Sequence, residues 1–85
     1  MDISRDEQRV LHALAQGGCI ALLKNDAGKV TGIEFFNRDG WLMNHCSLQL
    51  FKKLKARKAI KSSNGRPYRI TRRGLELVGG QADNR

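Results

Sequence analysis

Four thiol and imidazole side chains in this sequence are potential zinc ligands: His12, Cys19, His45 and Cys46. Thiolate and imidazole ligands for zinc usually come in pairs two to four residues apart. Here His45 and Cys46 are adjacent, and His12 falls opposite the apolar stripe of its own segment. A catalytic thiol needs a base oriented by a third group, and adjacency in sequence does not bring the two rings and sulfurs into contact. No glycine-rich phosphate loop follows an apolar run, and no spaced carboxylate pair stands out. The expectation is two small thiols and two ordinary histidines, with no catalytic residue, no metal and no cofactor.

Cations offer a different chemistry. From Gly40 to Leu75 there are ten Lys and Arg residues and no acid, whereas the segments on either side each sum to −1. The whole formal charge of +8 therefore arises in one stretch. Such a patch attracts phosphate or an acidic protein surface. Within it, Gln49, Lys52 and Lys53 share a face. Glutamine can read adenine, and lysine can reach guanine or phosphate. Arg66 and Arg69 flank a turn, and Arg72 and Arg73 open a segment whose first amides also favour anions. These seven residues are the candidate nucleic-acid or partner contacts. Lys55 and Lys58 are expected instead to cover the core with their stems.

The elements that must position them read as follows. Ser47 can cap a helix in which Leu50, Phe51 and Leu54 form the buried stripe, opposite Gln49, Lys52, Lys53 and Ala56. Asn64-Gly65 between Ile60-Lys61-Ser62 and Tyr68-Arg69-Ile70 predicts a hairpin, because both turn residues tolerate positive φ. Thr71 can cap a closing helix with Leu75, Leu77 and Val78 as its apolar residues. Upstream, Ser4 and Glu7 form a capping box for a helix running to about Gln16, with Val10, Leu11 and Leu14 inward and Gly17-Gly18 at its end. Cys19–Lys24 and 29–36 read as strands, and Gly32 inside the second suggests a bulge or a close backbone approach. Trp41-Leu42-Met43 is either a third strand or an irregular lead-in.

The expected architecture is one α+β domain over residues 1–78, winged-helix-like, with a polar tail at 79–85. Its order is helix, β-hairpin of two or three strands, helix, wing hairpin and short C-terminal helix. A chain of 85 residues buries a small core, in which each large apolar residue matters. No apolar run reaches transmembrane length and the first residues do not resemble a signal peptide, so the expected location is cytoplasmic with reduced thiols and no membrane partner.

The whole chain resembles the bacterial YjhX family of small basic proteins. The resemblance rests on Ser4-Arg5, Glu7-Gln8, Leu11-His12, Leu14-Ala15, Phe51-Lys52-Lys53-Leu54-Lys55, Ile60-Lys61-Ser62, Asn64-Gly65, Pro67-Tyr68-Arg69-Ile70 and Asp83-Asn84-Arg85. The family is described as toxins of toxin–antitoxin pairs, and one member is named as a topoisomerase I inhibitor. The resemblance thus implies a non-enzymatic protein that binds DNA topoisomerase I or another DNA-processing protein, with an antitoxin as a further partner. Charge and geometry give a second expectation, a winged-helix protein that binds duplex DNA.

Overall fold

Ser4 opens the first helix, α1 (Arg5–Ala15), through both halves of its capping box. Its hydroxyl accepts from the Glu7 amide at 3.1 Å, and its own amide donates to Glu7 Oε1 at 2.9 Å. The computed structural model describes residues 3–82. Val10, Leu11 and Leu14 are buried along α1. The helix ends in a Schellman motif: the Gly17 amide donates to Leu14 O and the Gly18 amide to Ala13 O. Gly17 takes φ +116°, a backbone that favours glycine.

The chain then forms an antiparallel sheet in the order β1 (Cys19–Lys24), β2 (Val30–Phe36), β3 (Leu42–Met43). Both connections use the same device. Asn25 Oδ1 accepts from the amides of Ala27 and Lys29, and Asn37 Oδ1 from those of Asp39 and Trp41. Leu23 pairs with Gly32 but Lys24 with Val30, which leaves Thr31 as the extra residue of a bulge beside Gly32. Leu42 pairs with Phe36 and Met43 with Phe35, so the segment after Trp41 is a short third strand.

Ser47 caps α2 (Leu48–Ala56), accepting from the Leu50 amide at 3.1 Å. Leu50, Phe51 and Leu54 are buried, and Gln49, Lys52, Lys53 and Ala56 are exposed. The helix closes in a second Schellman motif, with Lys58 amide to Lys55 O and Ala59 amide to Leu54 O. The left-handed residue here is Lys58, at φ +61°. A two-stranded hairpin follows, β4 (Ile60–Lys61) and β5 (Arg69–Ile70). Asn64 and Gly65 at its tip have φ +55° and +74°, the signs that Asn-Gly predicts. Tyr68, directly before β5, bridges Ile20 of β1 through two backbone hydrogen bonds, so the sheet and the hairpin are joined.

Thr71 caps α3 (Arg72–Ala82), accepting from the Gly74 amide at 3.1 Å. Two expectations need correcting. The boundary placed at Val78 falls inside α3, which runs on to Ala82, while residues 83–85 lie outside the described residues. Leu75 is not on the inward side: Gly74 and Leu77 are buried, and Leu75, about 100° away from Gly74 around the helix, is 48% exposed. The core joins every layer, with Leu11, Leu14, Ile20, Phe35 and Leu54 at its centre. Phe51 meets Tyr68 edge to face at 4.9 Å, which ties α2 to the second arm of the hairpin.

Candidate nucleic-acid and partner interface

The α2 stripe decides where its polar residues go. With Leu50, Phe51 and Leu54 inward, Gln49, Lys52 and Lys53 project to solvent on the other side. Arg66 is exposed at the hairpin tip, where its amide closes the turn on Ser63 O and its carbonyl accepts from the Ser62 hydroxyl. Arg69 is exposed too, but its guanidinium donates to Gly17 O at 3.3 Å, so part of its reach is spent on the end of α1. Arg72 and Arg73 sit in the first turn of α3, each 4.0 Å from Glu76. Helix N-termini disfavour cations, so their placement there does not serve the helix.

The seven candidates do not converge on a single cleft. Gln49 and Lys53 line one of about 530 Å³ together with Ser4, Asp6, His45 and Ser47. Arg66 lines a second of about 400 Å³ beside Lys24, Pro67 and Tyr68. Arg73 lines a third of about 550 Å³ with Ala56, Arg57, Lys58 and Leu77. The basic segment is therefore spread over α2, the hairpin and the start of α3, as suits an extended partner. Lys55 stays close to the body of the protein, with its ammonium 5.8 Å from the centre of the Tyr68 ring.

One basic residue of the segment has a structural partner that the sequence reading missed. Glu7 is 2% exposed, and Arg57 Nε donates to its Oε2 at 2.7 Å. Burial alone would raise the Glu7 pKa. The hydrogen bonds from Arg57 and Ser4 outweigh it and leave the carboxyl below its ordinary value. The signal was present: Arg57 falls three residues after Leu54 and seven after Leu50, on the inward stripe, and an inward cation calls for a buried acid.

Of the thiol and imidazole groups, His45 and Cys46 line the same cleft as Gln49 and Lys53. His12 is exposed on α1, and His45 packs edge to face on Phe35 at 5.1 Å. Burial pushes the Cys46 thiol up to about 11, so at neutral pH it is protonated and a poor nucleophile. Among the described residues no three His, Cys, Asp or Glu side chains gather as a metal site would require. No helix among them is long and apolar enough to cross a membrane.

Fold and surface thus define a small α+β protein whose cations are displayed on a helix, a hairpin and the start of a second helix. Comparison with known sequences gives the family. A model described as "Putative toxin of bacterial toxin-antitoxin pair" matches residues 1–85, and the chain belongs to this YjhX toxin family. It is 58% identical over 85 residues to a UPF0386 protein of Agrobacterium fabrum, with both chains covered in full. It is 59% identical, again over the full length of both, to one of Rhizobium rhizogenes. A third UPF0386 protein, of Hyphomonas neptunium, is 57% identical over 84 residues, 99% of each chain. No solved structure gives a significant match.

Proposed function

We propose that this chain is a non-enzymatic, toxin-like protein that inhibits DNA topoisomerase I, or another DNA-processing protein, by direct binding. The observation that carries the proposal is the distribution of charge. Ten bases and no acid lie between Gly40 and Leu75, and most of them are exposed on α2, the hairpin and the first turn of α3. The segment from Met1 to Asp39, which builds α1, β1 and β2, is near neutral. A protein that docks on a DNA-processing enzyme gains from both features. The near-neutral part can hold the enzyme with little salt dependence, and the basic part can lie along the DNA the enzyme grips. An antitoxin, as the family description implies, would be the partner that silences it.

A second reading has its own support. Gln49, Lys52 and Lys53 share the outer face of α2, and a hairpin with Arg66 at its tip follows that helix. A recognition helix followed by a wing has this order, although a sheet stands here between α1 and α2 where the simplest winged helix has another helix. Under this reading the protein is cytoplasmic and binds duplex DNA itself. Affinity capture from lysate, with and without nuclease, separates the two. A partner retained after nuclease supports protein binding, and one lost on nuclease treatment supports DNA.

A further inference from the structure

The groove between the end of α2 and the start of α3 differs from the rest of the basic surface. Its floor is aliphatic, formed by Ala56 and Leu77, and its rim carries Lys58 and Arg73 beside Arg57. Two of these cations stand where local energetics argue against them. Lys58 holds φ +61° at the left-handed position of a Schellman motif, where glycine is preferred. A cation past the end of α2 gains a little from the helix dipole, but less than a β-carbon loses in that conformation. Arg73 lies in the first turn of α3, where the dipole repels it. Backbone strain held at one place is a pointer to function, and here it presents a cation over an apolar floor. Among the described residues no carboxylate pairs with Lys58, and the Arg73 contact to Glu76 is long and exposed.

We infer that this groove binds an acidic, amphipathic segment of a partner protein, with one large apolar side chain on Ala56 and Leu77 and flanking carboxylates on Lys58 and Arg73. This rests on the reading that the chain acts by binding another protein. Duplex DNA would satisfy the cations but leave the floor without a partner. Bases of a single strand prefer aromatic platforms, and this floor has none. A carboxylate-flanked leucine or phenylalanine uses both halves of the site, as helix-in-groove recognition does.

The test is a polarisation titration of the full chain with a labelled helix-forming peptide that has a leucine stripe flanked by glutamates. One control peptide replaces the leucines with serine and keeps the charge. Binding is expected for the leucine peptide, with the serine peptide at least about tenfold weaker, since only the apolar term is lost. Lys58→Gly should weaken binding about threefold, the worth of one exposed ion pair, in a protein whose fold is relieved of strain. Ala56→Glu, at an exposed helical position, should abolish it. Equal binding of the two peptides, no binding of either, or peptide binding that survives Ala56→Glu would overturn the inference. Failure here with topoisomerase inhibition intact removes the groove alone. Loss of inhibition with the peptide still bound removes the broader function instead.

Discussion

Replacing Arg57 with alanine should damage the fold far more than any other change to a basic residue. Arg57 Nε lies 2.7 Å from a Glu7 carboxylate that is itself 2% exposed. Removing one partner of a buried pair costs about 3–5 kcal/mol, because the remaining charge stays buried and unpaired. The Arg57 side chain is 26% exposed, so water can replace part of what is lost. The expected cost is about 2–3 kcal/mol, a large share of the stability of a small domain. At about 1 kcal/mol/M for a chain of this size, the urea midpoint should fall by about 2–3 M. The direction with pH is fixed by the Glu7 shift. Its folded pKa lies below the ordinary value of 4.5, so its contribution is complete above that pH and is lost as pH falls through the folded value. Wild type should therefore lose stability in acid, and Arg57→Ala should lose much less because the contribution is already gone. Urea unfolding of both proteins, followed by circular dichroism at neutral and acidic pH, reads both effects. Equal midpoints at neutral pH would refute the reasoning, and so would parallel acid losses.

Lys58→Gly should raise stability by about 0.5–1 kcal/mol by relieving the left-handed β-carbon, visible as a higher thermal midpoint. An unchanged or lower midpoint would show that the Lys58 conformation carries no strain. Gly74→Ala should cost about 1–3 kcal/mol, because the added methyl would run into Ala59 O and reach 2.6 Å from Ile70 Cγ1; an unshifted denaturation midpoint would contradict this packing. Lys52→Glu with Lys53→Glu should leave the fold intact and weaken duplex DNA binding across all sequences, with the salt slope reduced by about 2. Binding unchanged at matched salt would show that the outer face of α2 is not the contact.

Local signals foretold most of the fold. Ser4, Ser47 and Thr71 each cap the helix that their hydroxyl announces, and Asn64-Gly65 turns the hairpin with both φ values positive. These features depend on a few neighbouring residues, so sequence alone carries them. Gly32 suggests either a bulge or a close backbone approach, and the register shift beside it shows the bulge. What local signals could not supply is the pairing of distant residues. The Tyr68–Ile20 bridge joins residues 48 apart, and the Glu7–Arg57 pair joins residues 50 apart. Neither has a local cause. The end of α3 was misjudged because Gly79-Gly80 weakens a helix without forbidding it. The candidate contacts were legible as types and as exposed positions, but the spread of Gln49, Lys53, Arg66 and Arg73 over three clefts was not. Nothing in the spacing showed that Arg69 spends a hydrogen bond on Gly17.

The central claim, inhibition by direct binding, is tested most directly by relaxation of supercoiled DNA at limiting topoisomerase I. The titration varies enzyme and DNA independently and follows the concentration of this protein that halves the rate. Direct binding predicts that this concentration follows the amount of enzyme and that excess linear DNA scarcely relieves the inhibition. If the basic surface merely coated the DNA, the half-inhibiting concentration would rise with DNA and ignore the enzyme, since phosphate contacts carry no sequence information. That second result would contradict the account and leave DNA binding as the function to pursue.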